Sequence, residues 1–263
     1  MRKKKRMRQV PIAWILVVVG AASCAAQEAV PAGAEGIQPP PEAVARLAAA
    51  CDSGRADACA KVGNDYFFGQ GAVPQDQARA IAYFETACAL DGGAGCCFLG
   101  RAYGRGEGVA KDPARSAEYY QKACAAGVVG ACNSLGFLYH DGSGVPKDVA
   151  RAAELWRGSC RAKCREACDC ETLEKCRWES AAGCYFLGNA HAKGEGAPVD
   201  PARALELFER GCEAKIANAC FEAGAAYSAG KGVRPNKKRA RSYFMKACDQ
   251  GHSAGCAFGI AGL

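Results

Sequence analysis

Residues 96–132 read CCFLGRAYGRGEGVAKDPARSAEYYQKACAAGVVGAC, and the same grammar returns along the chain. Six cysteines, Cys59, Cys96, Cys132, Cys184, Cys220 and Cys256, fall at intervals of 37, 36, 52, 36 and 36 residues, where 52 is 36 plus a sixteen-residue insert. Each has a companion upstream. Cys51, Cys88, Cys124, Cys212 and Cys248 lie eight positions before their partners, and Cys160 lies eight before plus the insert. A fixed period of this size means stacked supersecondary units that share one continuous core.

Aligning the units against one another exposes the columns that structure demands. Four residues after each of the first five ladder cysteines stands Gly63, Gly100, Gly136, Gly188 or Gly224, and a small residue precedes every ladder cysteine. Missing side chains let neighbouring helices approach. Three residues further come Tyr66, Tyr103, Tyr139, His191 and Tyr227, then a Gly-x-Gly beginning at Gly69, Gly106, Gly142, Gly194 or Gly230, which ends the first helix through left-handed caps. Asp76, Asp112, Asp148, Asp200 and Asn236 are N-caps of a second helix, followed twice by proline at the first helical position, Pro113 and Pro201. Each cap contributes about 1 kcal/mol. The second helix carries small residues at Ala80, Ser116, Ala152, Ala204 and Ala240, and four positions on, on the same face, Phe84, Tyr120, Trp156, Phe208 and Phe244. The expected fold is all-α: a solenoid of helical hairpins, about five repeats plus a terminal half repeat.

These columns resemble the Sel1-like repeat, a relative of the tetratricopeptide repeat, through Leu99-Gly100, Tyr103, Gly106-Glu107-Gly108-Val109, Asp112 and Ala117. The resemblance covers about residues 42–263. The eight-spaced cysteine pairs further resemble the Helicobacter cysteine-rich protein family, in which such pairs are disulfides stapling one repeat to the next.

The N-terminus points to export. Arg2, Lys3, Lys4, Lys5, Arg6 and Arg8 precede an apolar run from Val10 to Ala22 that is too short for a permanent span, and residues 1–23 read as a secretory signal. Ala21, Ala22 and Ser23 before Cys24 resemble a bacterial lipobox, which implies lipidation of Cys24; Ala21 and Ser23 equally satisfy ordinary cleavage. Residues 24–41, rich in Ala, Pro and Gly, read as a linker. The formal charge of +7 comes from 34 basic and 27 acidic residues, and the six basic residues of the first eight account for nearly all of it. The remaining 28 against 27 give no basis for nucleic-acid binding.

An exported chain meets an oxidising compartment, periplasm or exterior, where paired cysteines form disulfides. The expected pairs are Cys51 with Cys59, Cys88 with Cys96, Cys124 with Cys132, Cys212 with Cys220, and Cys248 with Cys256. The insert, 161–176, adds Cys164, Cys168, Cys170 and Cys176 between Cys160 and Cys184. There the favoured pairing is Cys160 with Cys184 plus two internal bridges, making a disulfide-bound knob. The alternative restores the eight-residue spacing with Cys176 and Cys184, and a metal site from the four insert cysteines is the lesser reading. Cys97 is left over in a column that holds Ala60, Asn133, Tyr185 and Phe221, and reads as a buried thiol.

No catalytic constellation emerges, and neither cofactor nor metal is called for. His140, His191 and His252 are far apart in sequence, and His191 replaces a tyrosine. The resemblance to the cysteine-rich family implies a weak β-lactamase binding penicillin-like compounds, or a related hydrolase, as the alternative function. Its nearest signature, Ser228 to Lys231, straddles a helix C-terminus whose dipole opposes developing negative charge. The basic stretch from Lys231 to Lys246 reads as a solvated face. Variable columns are where a solenoid carries specificity. The residue after each structural glycine, Asn64, Arg101, Phe137, Asn189 and Ala225, is therefore the expected groove. The reading is an exported, lipid-anchored scaffold that binds a protein or cell-envelope partner. The chain ends on Phe258, Ile260 and Leu263, apolar for a terminal cap, which implies marginal order or an apolar contact.

Overall fold

The computed structural model describes residues 41–70, 72–161 and 173–261. Among them are twelve helices and no strand: α1 (Glu42–Asp52), α2 (Ala56–Phe68), α3 (Gln77–Ala89), α4 (Gly93–Arg105), α5 (Pro113–Ala125), α6 (Val129–Asp141), α7 (Val149–Arg161), α8 (Leu173–Lys193), α9 (Pro201–Glu213), α10 (Ala217–Ala229), α11 (Lys237–Asp249) and α12 (Ser253–Ala261). The hairpins α2–α3, α4–α5, α6–α7, α8–α9 and α10–α11 are repeats 1 to 5. Besides its sequence neighbours, α2 packs on α4 and α6 on α8, so first helices stack on first helices. The sequence anticipates a half repeat at the C-terminus only. The structure has one at each end, because α1 takes the place of a second helix and presents Cys51 to α2.

Local chemistry sets the boundaries. The side chains of Asp76, Asp112, Asp148, Asp200 and Asn236 each accept a bond from the backbone N–H three residues on, at 2.8–3.1 Å. Gly69, Gly106, Gly142 and Gly230 close α2, α4, α6 and α10 in the left-handed region. Within each repeat the structural glycine lies under the aromatic of the second helix. A Cβ on Gly136 would stand 2.4 Å from Trp156 Nε1, and one on Gly63 would stand 2.6 Å from the Phe84 ring.

The second glycine of the later Gly-x-Gly turns does something other than cap its own helix. Built Cβ atoms on Gly144, Gly196 and Gly232 would lie 2.1, 1.8 and 2.3 Å from the carbonyl oxygens of Pro113, Val149 and Pro201, the first residues of α5, α7 and α9. Each turn thus rests, backbone on backbone, against the preceding repeat.

Six disulfides join the end of one repeat's second helix to the next first helix: Cys51–Cys59, Cys88–Cys96, Cys124–Cys132, Cys160–Cys184, Cys212–Cys220 and Cys248–Cys256, with Cα–Cα separations of 4.5–4.7 Å. The Cys160–Cys184 bond excludes the Cys176–Cys184 alternative. At the C-terminal edge of the insert α8 begins at Leu173, so the first helix of repeat 4 runs 21 residues where its siblings run 13, and residues 162–172, on which the expected knob falls, lie outside the described residues. The bridges and the metal site considered for Cys164, Cys168, Cys170 and the Cys176 side chain lie outside the described residues, as do the signal segment and Cys24.

A further column sits three residues after Cys51, Cys88, Cys124, Cys212 and Cys248. Gly54, Asp91, Gly127, Lys215 and Gly251 all have positive φ, between 58° and 90°. Three are glycine, for which the left-handed region is free, whereas a side chain there costs about 1 kcal/mol. Lys215→Gly is expected to stabilise the fold by about 1 kcal/mol, read as a raised urea midpoint. An unchanged or lowered midpoint would show that the Lys215 side chain makes compensating contacts.

Candidate functional site

The variable column after the structural glycine divides into two kinds of environment. Asn64 is half-buried, with its amide donating to Gln70 Oε1 at 3.4 Å, and Ala225 packs at the edge of the repeat 4–5 core. Arg101 is taken up by packing between repeats 1 and 2. Its guanidinium carbon lies 4.8 Å from the Phe67 ring centroid, 5.0 Å from Phe98 and 5.3 Å from Phe68. Arg101 Nε faces Glu107 Oε2 at 3.7 Å, too long for a hydrogen bond but close enough for an ion pair.

Phe137 and Asn189 come together across the boundary of repeats 3 and 4. They line a cup of about 240 Å³ with His140, Trp156, Tyr185, Phe186, Ala190, Lys193 and Glu195. The Phe137 ring meets Phe186 edge-on at 4.5 Å and Trp156 at 5.5 Å, and Trp156 lies 5.7 Å from Phe186. Phe137 keeps 40% of its surface exposed, high for a phenylalanine already touching two rings. Trp156 is anchored from below, its Nε1–H donating to the Asn133 carbonyl at 3.3 Å. His140, in the last turn of α6, sits 2.7 Å from Asp141 Oδ1 through Nδ1 and 3.5 Å from Glu195 Oε2 through Nε2. The rim therefore carries the Glu195 carboxylate, the Lys193 ammonium and the His140 imidazole around an aromatic floor.

The remaining flagged residues are held by local contacts. His191 Nδ1 donates to the Pro198 carbonyl at 3.0 Å, and its own carbonyl accepts from Asp200 N–H as the column's tyrosines do. His252 stacks on Phe221 at 4.5 Å and accepts from Gly255 N–H at the start of α12. Cys97 carries a thiol that is half-buried, not fully buried as expected. It stands near Tyr120, whose hydroxyl is pushed up to about 12, chiefly by burial and then by the Cys97 sulfur. Ser228 lies in the last turn of α10, and Lys231 follows the Gly230 cap. Lys231, Arg234, Lys237, Lys238 and Arg241 are exposed, with Arg241 donating to the Gly259 carbonyl at 3.0 Å. At the C-terminal end Phe258 packs on Phe244 at 5.3 Å, while Ile260 is exposed.

A network unread in the sequence ties repeat 4 to repeat 5. Glu209 Oε1 accepts from both Tyr227 and Tyr243 hydroxyls at 2.9 Å, and Arg239 donates to Tyr227 at 2.9 Å. Burial, the bond to Glu209 and its charge all raise the Tyr243 hydroxyl above the usual phenol range. The signal was present but pairwise: glutamate at the position of Glu85 and Glu209 precedes a repeat with stacked tyrosines, Tyr103–Tyr119 and Tyr227–Tyr243.

The Sel1 repeat model matches residues 56–92, 93–128, 129–163, 181–215 and 217–252, the same five hairpins. The chain belongs to the Sel1 repeat family. A Sel1 repeat protein from Oxalobacter formigenes superimposes with TM-score 0.66 at 20% identity, over 77% of this chain and 74% of that one, a likeness of fold. Helicobacter pylori cysteine rich protein B is 30% identical over 45% of this chain and 84% of that chain, with TM-score 0.37. Cytochrome c oxidase assembly factor 7A of Xenopus laevis is 37% identical over 62 residues, 24% of this chain and 27% of that protein, so the match spans about a quarter of that relative. As a Sel1 repeat solenoid the protein is a scaffold suited to protein–protein interaction, and its disulfides indicate an oxidising, extracellular or periplasmic setting. No helix among the described residues is long and apolar enough to cross a membrane.

Proposed function

We propose that this protein is an exported scaffold, lipid-anchored through Cys24, that binds a protein partner of the cell envelope through the variable face of its first helices. The observation that carries the reading is the aromatic cup between repeats 3 and 4, where Phe137 and Asn189 meet over Trp156 and Phe186. Constant columns are consumed by packing, so an exposed aromatic in a variable column is surface left for recognition. The linker 24–41 then serves to hold the solenoid clear of the bilayer.

Among the described residues no nucleophile with a neighbouring base supports the hydrolase alternative. A chromogenic β-lactam should be hydrolysed no faster than in buffer, and turnover that survives purification but is lost on changing Phe137 or Asn189 would revive it. The anchor has its own test. Intact mass of membrane-extracted protein is expected to show an acylated N-terminus at Cys24, and Cys24→Ser should release the chain into the soluble fraction. A wild-type mass matching unmodified cleaved chain would remove the tether.

A further inference from the structure

Repeats 2 and 4 share a combination that repeats 1, 3 and 5 lack. Two residues before the structural glycine each has phenylalanine, Phe98 and Phe186, and seven residues after it each has glutamate, Glu107 and Glu195. At those places repeats 1, 3 and 5 have Lys61 and Gln70, Ser134 and Ser143, and Glu222 and Lys231. The preceding repeat adds a ring in both cases, Phe67 below repeat 2 and His140 below repeat 4, each four residues after its own glycine. The two boundaries are thus built alike, with aromatic walls and a carboxylate.

They differ one residue after the glycine. Repeat 2 has Arg101, whose guanidinium fills the space among Phe67, Phe68 and Phe98 and faces Glu107. Repeat 4 has Asn189, too short to make the same reach, and there the cup of about 240 Å³ stands open beside Glu195. We infer that the cup between repeats 3 and 4 receives the guanidinium of an arginine side chain presented by a partner protein, as Arg101 fills the corresponding place from within the chain. The inference rests on the scaffold reading and names the chemistry of its partner.

A planar, weakly hydrated guanidinium stacks on aromatic faces and pairs with carboxylate together, which an ammonium does less well. Phe137 and Phe186 line the cup above the buried Trp156, and the Glu195 carboxylate on its rim supplies the counter-charge beside Lys193. Lys193 is no obstacle, since its counterpart Arg105 stands 3.5 Å from Glu107 beside the filled site.

The probe is N-acetyl-arginine amide, titrated into the full chain with disulfides intact, with the Trp156 indole N–H signal followed by NMR and assigned through Trp156→Phe. Saturable shifts are expected with arginine, at least fivefold weaker with the uncharged isostere N-acetyl-citrulline amide, and about fivefold weaker in Glu195→Gln. Asn189→Arg should fill the cup itself, abolishing the titration while keeping the melting temperature at or above that of the unsubstituted chain. Equal response to arginine and citrulline, or an unchanged titration in a folded Asn189→Arg, overturns the inference. A partner retained equally by Asn189→Arg would likewise remove the cup and leave the scaffold standing. Probe binding in a protein that engages no envelope partner would keep the cup and remove the scaffold.

Discussion

Full reduction of the staples is expected to unfold the solenoid, with loss of the far-ultraviolet helical signal at about 37 °C. In the chain-entropy account each of the five nine-residue loops stabilises by about 2.5 kcal/mol and the longer Cys160–Cys184 loop by about 3.5 kcal/mol, so the six closures together contribute on the order of 16 kcal/mol. That matches or exceeds the entire stability of an ordinary domain, about 5–15 kcal/mol. The six bonds link every successive pair of stacked units from α1 to α12, so no boundary is left to apolar contact alone. Circular dichroism of reduced, alkylated protein against native protein makes the comparison. A retained helical spectrum with a cooperative melt would mean that the core of small residues and aromatics suffices by itself.

Gly196→Ala is the single substitution with the largest expected cost, about 3 kcal/mol, combining left-handed backbone strain with overpacking. Its Cβ would arrive 1.8 Å from the Val149 carbonyl oxygen, and neither partner is a side chain that can rotate away. Gly127→Ala is the matched control, because Gly127 has φ of 88° and nothing within 4 Å of the built Cβ. It should lose only the backbone part, about 1 kcal/mol. Urea midpoints for the two variants separate contact from conformation. Equal losses would show that the turn can lift off the preceding repeat at little cost.

Much of the architecture was legible because its determinants are close in sequence. A cap and the N–H it accepts from are three residues apart, paired cysteines eight, and an aromatic and its small neighbour four, so periodicity alone exposes them. The start of α8 at Leu173 was not legible for the opposite reason: the repeat period breaks at the insert, so no sibling unit marks where the helix begins.

The candidate site was legible only as a column. Asn64, Arg101, Phe137, Asn189 and Ala225 share one position in the repeat, and sequence alone treats them as equals. Their fates diverge because each meets a different preceding repeat: Arg101 finds Phe67 and Phe68, Asn189 finds Phe137 and His140. The sequence by itself determined the period, the two helices of each unit and the cysteine ladder, all products of short-range geometry. Only the tertiary structure decided which glycine bears on the neighbouring backbone, which charge is sealed between aromatic rings and which cup stays open. Those outcomes depend on how far a side chain reaches across a repeat boundary, a distance that the spacing of residues along one chain does not contain.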